Sequence, residues 1–129
     1  MTGVVLDASA AVEIALDTAR GLGLASKLPT EGEVMAPDHF FAEAGAALRR
    51  MENHGDLTVD RATLALRRVR SLRVRRVSTR DLLPAGWDLR RNLIIGDGLD
   101  VALARRLDVV TADGRLARAP GLGVRVIHR

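Results

Sequence analysis

The sequence predicts an α/β domain with a central, mostly parallel sheet and helices on both of its faces. Three observations carry this. Short apolar runs of strand length, such as Val4-Val5-Leu6, Met35-Ala36 and Val109-Val110, recur between segments of helical length, and strands separated by helices imply parallel pairing. The apolar content of 47% is carried by Ala, Leu and Val, with Phe40, Phe41 and Trp87 as the aromatics, which suits a layered aliphatic core. Acidic residues stand where apolar runs give way to turns or helices: Asp7, Asp97 and Asp113, with Glu43 beyond Met35-Ala36-Pro37. In open α/β sheets ligands bind outside the carboxyl ends of the strands, so these acids suggest one convergent carboxylate site.

The elements follow in order along the chain. Residues 3–6 form the first strand, and Ser9 opens a helix to residue 16 with its hydroxyl as N-cap. Residues 18–28 make a second short helix and 33–36 the second strand. Pro37-Asp38 opens a long helix to residue 54, which Gly55 stops. Thr58 caps a helix to residue 72. Residues 73–78 alternate as a strand with Val74 and Val77 inward, and Thr79-Arg80-Asp81 starts helical turns that Pro84 and Gly86 interrupt. Residues 96–107 are helical, Val109-Val110 a strand, 114–117 a helical turn and 124–127 the last strand. No repeat, linker or low-complexity tract divides the 129 residues, so one domain spanning 1–129 is expected, burying roughly two thirds of its unfolded surface.

Composition narrows the function classes. Cysteine is absent, which removes disulfides, thiolate metal sites and thiol nucleophiles together and is consistent with a cytoplasmic location. No apolar run approaches the ~20 residues of a membrane span, and no basic stretch precedes an apolar one at the start, so a soluble, unprocessed protein is expected. The formal charge is +4, and Lys27 is the single lysine among 20 basic residues. Eight arginines lie between Arg61 and Arg80 with no acid among them. Such a run, with Arg67, Arg68, Arg75 and Arg76 at its centre, reads either as a phosphate-tracking RNA face or as a solvated helix face plus an exposed strand.

Each acid has a structural and a functional reading. Asp7 at a strand tip could cap a helix, although Ser9 is better placed for that. Glu43 sits among Phe40, Phe41, Ala42, Ala44, Ala46, Ala47 and Leu48, where a lone carboxylate is costly to bury; the alternative is a polar stripe shared with Arg50. Asp97 and Asp100 stand at i and i+3 and share a helix face, a placement that also suits first-turn acids on any helix. Asp113 precedes Gly114, as in many turns. Together the acids would repel in a bare pocket until a cation compensates. Oxygen ligands without Cys or spaced His indicate Mg²⁺ or Mn²⁺, one ion or two.

Four ordered segments carry a family resemblance: Val4-Val5-Leu6-Asp7-Ala8-Ser9; Pro37 with Glu43 and Leu48-Arg49-Arg50; Asp97 with Asp100-Val101-Ala102-Leu103-Ala104; and Val109-Val110-Thr111-Ala112-Asp113 with Leu116. Together they resemble a PIN-domain ribonuclease, and the length and final strand look like the VapC toxins of bacterial toxin–antitoxin pairs. The resemblance implies a PIN-like α/β fold and a metal-dependent endoribonuclease that hydrolyses RNA phosphodiester bonds. It places Asp7, Glu43, Asp97 and Asp113 as catalytic metal ligands, with Ser9 and Thr111 as bordering hydroxyls. Two positions depart from the family: Ala46 stands where relatives usually carry asparagine, and Asp100 stands where many carry a bulky residue, leaving it as an added ligand or a helix cap. Implied partners are an RNA substrate, a VapB-like antitoxin and a second copy of the chain in a homodimer; no membrane partner is expected. Leu16, Leu22, Leu24 and Leu28 are candidates for the antitoxin groove or for the core.

Rival readings fit less well. A receiver domain requires adjacent acids after its first strand and a lysine after its last, and a haloacid-type phosphatase requires a second Asp where Ser9 stands. A catalytically inactive PIN-like module that binds RNA or a partner is the alternative. His39, His54 and His128 lack ligand spacing and are expected at the surface or as caps, and Trp87 is expected to pack rather than to stack bases.

Overall fold

The computed structural model describes residues 3–30, 32–103, 108–119 and 125–128. Five strands, β1 (Gly3–Leu6), β2 (Glu33–Pro37), β3 (Arg75–Val77), β4 (Asp108–Thr111) and β5 (Val126–His128), form one sheet in the order β3-β2-β1-β4-β5. Every pairing is parallel. Seven helices are described: α1 (Ala8–Ala15), α2 (Ala19–Ala25), α3 (Phe40–Asn53), α4 (Val59–Arg70), α5 (Thr79–Asp88), α6 (Ile95–Leu103) and α7 (Gly114–Arg118).

Alternation along the strands feeds two cores. Val4, Leu6, Ala36 and Val110 face a layer built from α1, α3 and α4, including Val12, Phe40, Leu48 and Val69. Val5 and Val109 point the other way, onto Leu93, Val101 of α6 and Leu116 of α7. Helices therefore cover both faces, as the near-continuous apolar runs of β1 and β4 require.

Most expected elements are present, with shifts that have local causes. Thr58 caps α4 by accepting the Arg61 N–H at 3.2 Å. Thr18 likewise caps α2 through the Gly21 N–H at 2.9 Å. Gly55 ends α3 with φ of 81°, a backbone state that favours glycine. The long helix starts at Phe40 rather than Pro37, because Pro37 closes β2 opposite Val77 and the Asp38 N–H bonds the Val77 carbonyl. Pro84 and Gly86 do not interrupt α5. The carbonyl that Pro84 leaves without a helical donor belongs to Arg80, an exposed residue whose carbonyl water can satisfy. Gly86 instead lies at a close helix contact: a β-carbon on Gly98 would lie 2.9 Å from the Gly86 carbonyl oxygen, and one on Gly86 would lie 3.0 Å from Leu99 Cδ2 and 3.5 Å from the Gly98 carbonyl carbon, so α5 and α6 approach backbone to backbone. Trp87, one residue beyond that contact, turns outward and is 55% exposed, with the Arg90 guanidinium 4.5 Å from its ring centre. It stacks on a cation at the surface and does not pack in the core.

Leu16 and Leu24 are buried and Leu28 packs against the core, which leaves Leu22 of the four candidate groove leucines exposed. Residues 104–107 of the expected sixth helix and residue 124 of the last strand lie outside the described residues. No helix among the described residues is long and apolar enough to cross a membrane.

Candidate metal centre

The two central strands deliver the first part of the site. Leu6 pairs with Val110, so Asp7, the first residue past β1, lies beside Thr111, the last residue of β4, and the Asp7 N–H bonds the Val110 carbonyl at 2.9 Å. Helix α1 begins at Ala8, with Asp7 at its N-cap position. The Asp7 carbonyl accepts from the Ala10 and Ala11 N–H groups, but its carboxylate makes no capping bond. Ser9 is thus inside the helix, correcting the expectation that it caps it. Its hydroxyl donates to Asp7 Oδ2 at 2.8 Å, and the Thr111 hydroxyl donates to the same oxygen at 2.7 Å. Each hydroxyl oxygen in turn accepts a backbone N–H, from Ala112 for Ser9 (3.1 Å) and from Asp113 for Thr111 (2.9 Å). With their acceptor sides engaged by the backbone, both hydroxyls aim their protons at Asp7 and hold its carboxylate in one orientation.

Helix α6 supplies the second part. Asp97 lies in its first turn and Asp100 one turn later on the same face. One carboxylate oxygen each from Asp7, Asp97 and Asp100 lies within 4.8 Å of the other two. Asp100 is the sixth residue of the helix, past any capping position, and is 2% exposed, with Oδ2 lacking a hydrogen-bond partner.

Glu43 approaches from the β2 side and Asp113 from the β4 side. A β-carbon on Gly96 would sit 3.3 Å from Glu43 Oε2, so the start of α6 lies directly against the glutamate. Asp113 caps α7 by accepting the Arg115 N–H at 2.8 Å, and it lines a cavity of about 150 Å³ with Asn92, Leu93, Ile94, Asp97 and Arg115. It therefore fills both its turn role and a place at the site. His39 is the residue that sequence reasoning missed. It sits at the α3 N-cap position without a side-chain cap bond; Nε2 contacts Glu43 Oε1, and Nδ1 is buried without a partner. The i, i+4 spacing of His39 and Glu43 on one helix was the available signal.

Electrostatics follow from the crowding. Burial, then the charges of Asp7 and Asp97, raise Glu43 from 4.5 to about 7, partly offset by Arg50. Burial, then Asp7 and Asp113, raise Asp97 from 3.8 to about 6, offset by Arg115. Asp100 is pushed well above the carboxylate range by burial first and by Asp7 next. Burial lowers His39, against the pull of Asp7 and Asp38. Among the described residues no lysine or arginine forms an ion pair with Asp7, Asp97, Asp100 or Glu43. Hard oxygen donors that no lysine or arginine pairs with among the described residues, one of them a buried carboxylate oxygen with nothing bonded to it, fit a divalent cation such as Mg²⁺ or Mn²⁺.

The central arginines of the run are not gathered at this pocket. Arg75 pairs with Glu33 at 3.0 Å on the sheet edge, and Arg76 lies 6.0 Å from the centre of the Phe41 ring. Arg68 bonds Asp17 Oδ2 and the Ala15 carbonyl, while Arg67 is exposed on α4.

An all-parallel five-stranded sheet covered on both faces, with acids converging beyond the carboxyl ends of its central strands, defines a PIN-fold α/β protein. Its fold is shared with VapC20 of Mycobacterium tuberculosis, a sarcin-ricin loop cleaving toxin (TM-score 0.64, 22% identity, 95% of this chain and 98% of that one). VapBC2 from Rickettsia felis, bound to a DNA fragment from its promoter, also shares it (TM-score 0.66, 16% identity, 98% of both chains). In sequence the chain is 38% identical over 120 residues to Ribonuclease VapC12 of Mycobacterium tuberculosis, with 92% of each chain covered. It is 38% identical over 118 residues to Ribonuclease VapC3 of the same organism, covering 90% of this chain and 86% of the relative. No protein-family model matches the chain. The chain belongs to the VapC ribonuclease family.

Proposed function

We propose that this protein is a metal-dependent endoribonuclease toxin, one domain spanning residues 1–129, that hydrolyses RNA phosphodiester bonds at the Asp7–Glu43–Asp97–Asp113 pocket. The observation that carries the reading is the convergence of the buried Asp7 and Asp100 and the half-buried Asp97, from the end of β1 and from α6, beside hydroxyls that fix Asp7. A bound Mg²⁺ or Mn²⁺, one ion or two, would supply Lewis-acid activation of water and stabilisation of the leaving oxygen. The chain's own groups perform the rest. Asp7 and Asp97 hold the cation, and Ser9 and Thr111 keep Asp7 in its ligating orientation. Its raised affinity for a proton and its contact to His39 support a role for Glu43 in taking up or passing on a proton during hydrolysis. Asn92 and Arg115, which line the cavity together with Asp97 and Asp113, offer donors to an RNA phosphate.

Family membership also supports a small VapB-like antitoxin as partner, a homodimeric toxin and action in the cytoplasm, where the RNA substrate is found. The decisive experiment follows cleavage of RNA with Mg²⁺ or Mn²⁺, then with excess chelator, then with metal restored, using Asp7→Asn as the blank. Cleavage is expected to need the metal and to vanish in the variant. Full cleavage in excess chelator would overturn the proposal.

A further inference from the structure

We infer that His39 is a positioning residue for Glu43: its imidazole holds one carboxylate oxygen and leaves the other turned toward the start of α6. The inference rests on the metal-dependent reading above, in which Glu43 belongs to the pocket, and adds to it a group that is not an acid. His39 stands at the N-cap position of α3 and Glu43 in its first turn, and Nε2 of the ring meets Glu43 Oε1. The ring does not cap the helix, since it forms no side-chain cap bond. Both ring nitrogens are buried, neither makes a hydrogen bond of regular geometry, and Glu43 is the carboxylate that Nε2 contacts. Donor and acceptor chemistry then fixes the tautomer. A proton on Nδ1 would be a buried N–H without an acceptor, a rare and costly defect, whereas a proton on Nε2 faces the Glu43 carboxylate. The ring therefore carries its proton on Nε2 and serves as a donor. Gly96 completes the arrangement. A β-carbon there would lie 3.3 Å from Glu43 Oε2 and 3.6 Å from His39 Nε2, so glycine lets the first turn of α6 close over the pair. With Oε1 engaged by the ring, Oε2 is the oxygen presented to the helix that carries Asp97. His39 thus does for Glu43 what Ser9 and Thr111 do for Asp7.

The competing role for His39 is that of a metal ligand in its own right. His39→Gln separates the two, because the glutamine amide offers a donor at about the reach of Nε2 but has no ring nitrogen for a cation. Binding of Mn²⁺ alone to the full chain, without RNA, is measured by calorimetry for the wild type, His39→Leu, His39→Gln and Asp7→Asn. His39→Leu is expected to weaken Mn²⁺ binding about 10–100-fold, the usual loss on removing a partner that orients a metal ligand, with an unchanged circular dichroism spectrum. His39→Gln should recover most of that loss. Equal losses in the two His39 variants, or wild-type affinity in His39→Leu beside lost binding in Asp7→Asn, overturn the inference and leave the nuclease reading intact. Undiminished binding in Asp7→Asn overturns the metal centre itself and the inference with it. A second measurement needs no variant: ring ¹⁵N resonances of the metal-free wild type at about pH 8, where the imidazole carries one proton, should place that proton on Nε2 and show Nδ1 bare. A proton on Nδ1 also overturns the inference.

Discussion

The carboxyl end of β1 and β4 and the outer edge formed by β3 and α4 both concentrate charge, yet they treat it in opposite ways. Asp7 and Asp100 are 5% and 2% exposed with no basic partner among the described residues. At the edge, Arg75 and Arg68 remain 65% and 46% exposed and pair with Glu33 and Asp17. Exposed pairs contribute about 0–1 kcal/mol because water already solvates both members. Buried like charges are destabilising by themselves, and a bound cation is what offsets them. Density of charge along the sequence is thus a poor guide to function here. Burial without a partner is a good one.

The contrast can be broken most directly at the acids. Asp97→Asn, which keeps shape but deletes a charge, should lower RNA cleavage at least about 100-fold while leaving the fold intact and the metal-free protein equally or more stable. An equal loss in Arg75→Ala, measured in the same assay, would erase the distinction between the two regions. Thr111→Val should be the next largest effect. It removes one donor to Asp7 Oδ2 and the acceptor of the Asp113 N–H at a fully buried position. Activity should drop about 10–100-fold and stability by about 1–3 kcal/mol, read from urea unfolding with and without Mg²⁺.

Acidity sharpens the comparison further. Glu43 and Asp97 are raised in the folded chain to about 7 and about 6. Between their ordinary values and these raised ones the folded state binds more protons than the unfolded state, so the stability of the metal-free protein falls as pH rises. Melting without metal should therefore occur at a lower temperature at pH 8 than at pH 5. Saturating Mg²⁺ should reduce or reverse that difference, since the ion favours the ionised acids. A metal-free melting temperature that rises across this window would contradict the raised acidities.

The smallest effects belong to the arginines. Arg67 has no ion pair among the described residues and Arg76 lies beside Phe41, so both forks are open to phosphate. If they contact RNA, Arg67→Ala/Arg76→Ala in an Asp7→Asn background should flatten the slope of log affinity against log salt by about 1.4, from ~0.7 per contact on a single strand. RNAs of different sequence should weaken alike. Arg68→Ala/Arg75→Ala, whose guanidinium groups already hold Asp17 and Glu33, should leave that slope unchanged and cost less than about 1 kcal/mol per pair. Identical slopes for the two double variants would mean that ion pairing at this edge has no bearing on RNA contact.

By itself the sequence determined the class of fold, the order of strands and helices along the chain, and the acids at strand ends. Those features are local: apolar runs of strand length, caps such as Thr58 and stops such as Gly55 act within a few residues, and family motifs sit on the same segments. Tertiary structure decided what depends on neighbours distant in the chain. Ser9 reads as a cap until Thr111 and Ala112, more than 100 residues away, claim its hydroxyl for the support of Asp7. His39 reads as a surface residue until α3 brings it against Glu43 and the start of α6. Asp100 shares its spacing with any first-turn pair, and only the packing of α6 against the sheet, through Leu99 and Val101, buries it beside Asp7. Trp87 is outward because a glycine contact between α5 and α6 fixes the rotation of its helix. Periodicity specifies which residues can share a face, whereas burial and charge partners depend on which faces meet, and that is a property of the assembled layers.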